Sequence, residues 1–460
     1  MTVPQRAEVI VVGGGIAGLS AAWELRDRDV IVLEAERRVG GRLMSERRDP
    51  YWLNFGGHVV GGPETATGRL LEATNVEAVE LPGVLGGLVL GGRLLAGGRV
   101  ETYPLRAPLS LRDRFALIRA GGRLRVAVAQ YGRVSRLRAG ESEADRRARV
   151  LAFRDDITFS EFLGPVRPVV DGVFRATIQR SSGEPEEVSA GYGIGYFQLV
   201  WDRSKGLTRN IVGGSSTLPQ AIAVALGPRL LTGTPVRSVA RTPGGVVVGF
   251  ERDGRQQTIH AAAAIVAAPA YVARRIISDL PEGVARALEG IAYGPYVVGA
   301  FLTGETSPMP YDNLYAAATP RLSFNMLFNT ANALRRGGQR DPGGSLMVYA
   351  AANLARDLAD SSDAEVERCY LDDLYSIFPA LRGMVREVAI RRWDIGVPHP
   401  RPGRHLLQPA LEQPLGPVHL AGDYLGTTYI ETAIETGAAA AHRVREALSR
   451  EPTADSPEGT

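Results

Sequence analysis

Residues 8–42, EVIVVGGGIAGLSAAWELRDRDVIVLEAERRVGGR, limit the fold of this chain more than any other stretch. Glu8 to Val12 reads as a short hydrophobic strand, followed by Gly13-x-Gly15-x-x-Gly18 and a helix through Leu25. Asp29 to Leu33 reads as a second strand, and Glu34 ends it. Strand, glycine turn, helix, strand and acid in that order predict a βαβ unit that binds a dinucleotide. Gly13 permits the tight turn, Gly15 lets a pyrophosphate approach the backbone, and Gly18 lets helix and strand pack closely. The positive end of the helix dipole then meets the phosphates. Glu34 stands 21 positions after Gly13, where a carboxylate can hydrogen-bond both ribose hydroxyls and disfavours a 2′-phosphate.

Residues beyond the fingerprint narrow the ligand. EAERRVGGR runs from Glu34 into Gly40-Gly41-Arg42, and NFGGHVVGG then supplies Gly56, Gly57 and His58. Near the other end stands GPVHLAGDYLGTTYIETAIETGAAAA, residues 416–441, where Ile430, Ala433, Ile434, Gly437 and Ala441 recur at helical spacing. Together these segments resemble the flavin amine oxidase superfamily, which includes monoamine oxidases, protoporphyrinogen oxidases and carotenoid desaturases. The resemblance covers most of the chain and implies an FAD-dependent oxidoreductase. Its implied fold is α/β: a Rossmann-like FAD-binding domain interleaved with an α+β substrate-binding domain.

The same resemblance implies roles for single residues. Arg42 lies near the cofactor diphosphate, Gly56 and Gly57 pass beside the isoalloxazine ring, and Val236 meets the adenine through backbone groups. Ala35, Gly41, Gly422, Asp423, Thr432 and Ala433 complete the expected cofactor contacts. A helix start near the flavin also has a physical rationale, because its NH groups and dipole stabilise negative charge on the reduced ring. Asn54 departs from relatives, which usually carry an aspartate there. No cysteine stands where some relatives attach the flavin covalently, so non-covalent FAD is expected.

Tyr429, in Tyr429-Ile430-Glu431-Thr432-Ala433, corresponds to one wall of the family's aromatic cage. The second wall is expected about ten residues after Trp393, where Gly403 and Arg404 stand instead of an aromatic. The lysine that many amine oxidases hold near the flavin is absent from YGPYVVGAFL. These absences, with VPHPRPGRHLLQ and GEPEEVSAGYGIGYF, bring the chain closer to the protoporphyrinogen oxidase-like branch. His58 reads as a polar active-site candidate or a structural hydrogen-bonding residue. Glu64 reads as a group reaching a substrate nitrogen or as a surface carboxylate. Arg404 reads as a partner for a substrate carboxylate or as a surface arginine.

The expected domains are 1–75, 206–285 and 394–450 for FAD, and 76–205 with 286–393 for substrate, followed by a disordered tail at 451–460. LPGVLGGLVLGGRLLAGG, from Leu81, is too rich in glycine for a membrane span and predicts strands with turns. Within 106–149, twelve arginines face four acids on a helix-like pattern, either a solvated surface or a patch for an anionic substrate or lipid surface. Thr158 or Ser160 is expected to cap a helix in FRDDITFSEFL. Across the whole chain, 53 basic residues against 50 acidic give no case for nucleic acid. One cysteine, Cys369, expected to be buried packing on a helix, excludes an intramolecular disulfide framework and fits a cytoplasmic protein. No metal site is expected.

The expected chemistry is hydride transfer from a substrate C–H, adjacent to nitrogen, to the flavin, giving an imine or double bond. The substrate is an amine or amide metabolite, with O2 as acceptor and H2O2 formed. Porphyrinogen oxidation or polyene desaturation is the alternative, and a non-redox flavoprotein isomerase the second. Peripheral membrane contact stays open, as does the oligomeric state.

Overall fold

The strand Arg6–Val12 alternates its side chains so regularly that it joins two cores. Ile10 and Val12 face one, and Val9 and Val11 the other. Burial on both faces explains why VIVV shows no polar alternation. The computed structural model describes residues 4–81, 86–201, 208–335, 340–426 and 429–450, so the expected tail at 451–460 lies outside the described residues.

Arg6–Val12 runs parallel to Val30–Leu33 on one side and to Arg255–Val266 on the other. Leu230–Leu231 adds beyond Val30–Leu33, and Gly245–Arg252 and Val236–Thr242 extend the opposite edge. Val418–Leu420 also pairs in parallel with Arg255–Val266, completing seven strands. Three separated stretches of chain thus share one sheet. The helices Ile16–Glu24 and Ile430–Arg450 cover one face. They lie close because Gly437 has no side chain: a Cβ there would sit 2.1 Å from the Ala17 carbonyl oxygen. Ser20 Oγ donates to the Ile434 carbonyl across the same contact.

A second seven-stranded sheet runs Val385–Trp393, Tyr296–Thr303, Gly344–Ala351, Met326–Asn329, Ala316–Ala318, Gly87–Leu90 and Arg93–Leu95. Only the join between Ala316–Ala318 and Gly87–Leu90 is parallel. Gly91 and Gly92, at φ +58° and +72°, make the hairpin turn that the glycine-rich stretch predicts. The helix Asp363–Ile377 packs on one face of this sheet. Cys369 on that helix is exposed, a correction to its expected burial: the apolar stripe runs through Val366, Tyr370 and Leu374, and Cys369 faces outward.

Helices Leu111–Val134, Phe159–Leu163, Pro168–Ile178 and Ala190–Tyr196 form a third layer around their own core. Thr158, not Ser160, caps Phe159–Leu163, and Glu161 completes a reciprocal capping box. Among the described residues no helix is long and apolar enough to cross a membrane, and no cluster of His, Cys, Asp and Glu could hold a metal ion.

Candidate active site

The glycine turn after Arg6–Val12 opens a cleft of about 1840 Å³ at the carboxyl end of the parallel strands. The three fingerprint glycines meet different surroundings. Gly13 has φ +105°, which side chains rarely adopt. A Cβ on Gly18 would lie 1.9 Å from the Gly13 carbonyl oxygen. A Cβ on Gly15 would meet nothing within 4 Å, because it would project into open space beside the cleft. Gly15 also begins the helix Ile16–Glu24 with no side-chain cap and no acid in the first turn. Uncapped NH groups at a helix start form an anion site.

Glu34 lies on the same cleft, and its carboxylate accepts from the NH groups of Gly14 (2.5 Å) and Glu36 (2.7 Å). Burial raises its pKa, with those two NH bonds opposing the shift. Ala35, Gly41, Arg42, Gly57, Val236, Gly422, Asp423 and Ala433 also line the cleft. Gly18 and Thr432 are buried beside it without lining it. An uncapped helix start, a carboxylate and an arginine suit a diphosphate, a ribose and their linker, so the residues present fit a dinucleotide cofactor.

Arg42 ties distant stretches together. Its guanidinium donates to the Gly396 carbonyl (3.0 Å) and pairs with Asp423 at 2.8 Å. Its own carbonyl accepts from the Gly57 NH at 3.0 Å. A Cβ on Gly56 would come within 2.0 Å of that carbonyl oxygen, so no larger residue fits at that point.

The cleft continues into an aromatic cavity of about 890 Å³. Arg42, Gly57, Trp393, Gly396, Val397, Tyr429 and Ile430 line both spaces. Tyr196, Tyr296, Tyr349 and Phe328 form the far walls, and Tyr196 lies 5.9 Å from Tyr429 between ring centroids. Burial raises the Tyr429, Tyr296 and Tyr349 hydroxyls, the last to about 12, so all three are neutral phenols. Trp393 is fixed by its indole NH, which donates to the Phe55 carbonyl at 2.7 Å.

His58 lines this cavity, 6% exposed and edge-on to Phe328 with centroids 4.8 Å apart. Its Nδ1 lies 2.9 Å from the Gly56 carbonyl, which requires the Nδ1–H tautomer and leaves Nε2 as a buried acceptor with no partner among the described residues. Desolvation lowers its pKa to about 4. The imidazole is therefore neutral at pH 7.

Two sequence candidates lie elsewhere. Glu64 is exposed ahead of the helix Ala66–Ala73 and lines neither space, the position of a surface carboxylate. Arg404 is neither a surface residue nor a cavity residue. It is 6% exposed and donates to the Tyr424 carbonyl (2.6 Å) and Gln408 (3.0 Å), and desolvation lowers its pKa to about 10. The expected second cage wall near Gly403 is likewise misplaced. Gly403 and His405 are drawn to Asp155, while Gly396 and Val397 reach the cavity. Aromatic walls come instead from Tyr196 and from three strands of the second sheet.

Two further residues escaped sequence reasoning. Arg180 lines the aromatic cavity and also a second, mostly apolar cavity of about 1200 Å³. Glu431 faces away from both, and its carboxylate accepts from the NH groups of Ala66 (2.5 Å) and Thr67 (3.0 Å) at the start of another helix. Its position inside a cofactor-like motif gave no sign of that partner.

A family model for flavin containing amine oxidoreductases matches residues 16–445. Flavin-containing amine oxidase B of Sus scrofa is 29% identical over 257 residues, 53% of this chain and 47% of that one. A flavin-containing amine oxidase of Oncorhynchus mykiss is 27% identical over 283 residues, 58% of this chain and 51% of that one. The chain spans about half the length of the curated relatives it matches. Among solved structures, putrescine oxidase with putrescine bound matches at TM-score 0.75 and 20% identity, covering 97% of this chain and 99% of that one. Cyclohexylamine oxidase from Brevibacterium oxydans IH-35A matches at TM-score 0.77 and 22% identity, covering 97% and 100%. At these identities the structural likeness shows a shared fold: a Rossmann-like FAD domain with a substrate-binding domain.

Proposed function

Because the chain belongs to the flavin-containing amine oxidoreductase family, whose cofactor is FAD, we propose that it oxidises an amine to an imine. The observation that carries this reading is the join between cleft and cavity, where Tyr429, Trp393, Gly57 and Arg42 line both. FAD held along the cleft supplies a two-electron oxidant for the C–H bond next to nitrogen. We assign Glu34, Gly15, Arg42 and Asp423 to holding it without a covalent bond. Cys369, the single cysteine, is exposed and lines neither space.

The side chains of the cavity bind, orient and exclude water. Tyr429, Tyr196 and Tyr296 present faces and edges that align a flat or extended amine, which lowers the entropic part of the barrier. Neutral His58 withholds a proton from the amine, and an unprotonated amine is the form that loses hydride. The amine gives up two electrons and two protons in becoming an imine, and dioxygen takes them up as hydrogen peroxide. Tyrosine walls that meet the cofactor cleft favour an amine over a tetrapyrrole.

The helix Leu111–Val134 carries a second feature, an exposed stripe of Leu111, Phe115, Ile118 and Val126 flanked by arginines. That pattern supports transient contact with an anionic lipid surface.

The reading is tested by anaerobic mixing of the purified yellow protein with benzylamine, cyclohexylamine and a reduced porphyrin. Loss of the visible flavin band with an amine is expected. Bleaching by the porphyrin alone would sink the amine assignment.

A further inference from the structure

Arg180 is a cation in an aromatic cavity with no carboxylate paired to it among the described residues. The acids nearest it in sequence are all committed elsewhere. Arg175 binds Asp171, Glu184 and Glu186 at 2.7–2.8 Å. The buried Glu184 also accepts from Gln179 and from the Asn353 NH. Among the described residues, the only other charge lining the aromatic cavity is that of Arg42, already paired with Asp423, while His58 is neutral. The cavity therefore carries one net positive charge.

The backbone of Arg180 is held firmly. It lies in the short turn Gln179–Ser181, and its carbonyl accepts from the Tyr296 hydroxyl at 2.5 Å and the Tyr196 hydroxyl at 3.5 Å. Its guanidinium stacks 5.7 Å from the Tyr196 ring centroid. Gln179, the preceding residue, is pinned by Asn325 at 2.6 Å. A desolvated, pre-positioned arginine without a carboxylate partner is costly to the fold and suits a ligand that brings the missing charge.

We propose that Arg180 binds a carboxylate of the substrate, so that the amine oxidised here is one that also carries an acid group. A single unmatched charge suits a monoanion, and the planar guanidinium matches a carboxylate in two parallel hydrogen bonds. Phosphate, as a dianion, would leave a charge unmatched. Arg180 also lines the apolar 1200 Å³ cavity, which gives an apolar substituent near the acid a place to lie. The proposal deepens the amine-oxidation reading and rests on it for the reacting group, though not for the anion site.

The test titrates the holoenzyme with 3-phenylpropionate and with 3-phenylpropanamide, following the flavin absorbance shift and tryptophan fluorescence. The acid is expected to bind roughly 10- to 100-fold more tightly than the amide, the range of one hydrogen-bonded charge contact. Arg180→Gln should erase that preference and Arg180→Lys should keep part of it. Equal binding of acid and amide by the unaltered protein overturns the proposal, as does a preference that survives in Arg180→Gln. Anaerobic bleaching by benzylamine and by phenylalanine, an amine that carries the acid group, is run beside it and scores the amine reading separately. If benzylamine bleaches the flavin and the acid shows no preference, only the Arg180 assignment falls. If the acid is preferred and no amine bleaches the flavin, the anion site stands and amine oxidation falls.

Discussion

Adding one methyl group at Gly15 and at Gly18 should give opposite phenotypes, although both belong to the same fingerprint. At Gly18 the new Cβ would lie 1.9 Å from the Gly13 carbonyl oxygen, 1.1 Å inside the 3.0 Å limit that Cβ contacts observe. The obstacle is backbone and cannot rotate away. Overpacking of that kind costs about 3 kcal/mol or more. At Gly15 the Cβ meets nothing within 4 Å, and the backbone at φ −69° and ψ 170° accepts any residue. Only a weak N-cap preference is lost, about 1 kcal/mol at most. The methyl instead intrudes where a diphosphate would approach the helix NH groups. Losing one charge-assisted hydrogen bond weakens FAD binding by roughly 10- to 150-fold. Urea unfolding of the flavin-free proteins gives the first quantity, and FAD titration of the same proteins gives the second. Gly18→Ala should unfold early, while Gly15→Ala should match the parent in urea and bind FAD poorly. Unchanged FAD affinity in Gly15→Ala, or equal destabilisation of both variants, would refute the reasoning.

Acid should destabilise the fold through histidines buried as neutral rings. His58 and His399 are 6% and 3% exposed, and desolvation lowers each pKa to about 4. The unfolded chain binds protons below pH ~6.5 that the folded state refuses until about pH 4, so their stabilising contribution is full above pH ~6.5 and is lost as pH falls. Each contributes about 3 kcal/mol over that window, and His58→Phe should flatten the urea-midpoint profile between pH 6.5 and 4. Arg404→Met should lower Tm by leaving the Tyr424 carbonyl without its donor, and should leave the acid-over-amide preference intact. A lost preference in that variant would return Arg404 to the cavity.

The cofactor cleft was legible because its instructions are local. A φ of +105° at Gly13, a close packing at Gly18 and an acid ending Val30–Leu33 all fall within 22 residues of chain. The cavity was not, because its walls arise from long-range pairing. Tyr296, Phe328 and Tyr349 sit on neighbouring strands of one sheet, where alternation marks which residues are buried but not which buried face borders empty space. Tyr196 ends the helix Ala190–Tyr196, whose sequence, within GEPEEVSAGYGIGYF, carried only a resemblance and no sign of a cavity wall. Arg404 was misplaced because spacing from Trp393 was assumed constant, whereas Gly403 and His405 are drawn back to Asp155 and take the turn away from the cavity. Glu431 looked like part of the flavin motif, yet its partners stand 364 and 365 positions away.

Arg42 joins these local and long-range parts, and its position alters how its replacement must be read. The resemblance assigns it to the diphosphate, a contact made by charge alone. In the fold its carbonyl fixes Gly57 and its guanidinium spans the Gly396 carbonyl and Asp423. Gly57 borders His58, and Gly396 follows Trp393 by three residues, so both walls of the cavity meet at one residue, one held by its backbone carbonyl and the other by its side chain. Lysine would keep the charge, but an ammonium on a flexible stem does not reproduce the planar fork that serves both acceptors. Arg42→Lys would therefore loosen the junction of cleft and cavity while preserving the electrostatics toward phosphate. Flavin lost from such a variant reports the junction, and only flavin lost from Gly15→Ala isolates the phosphate contact.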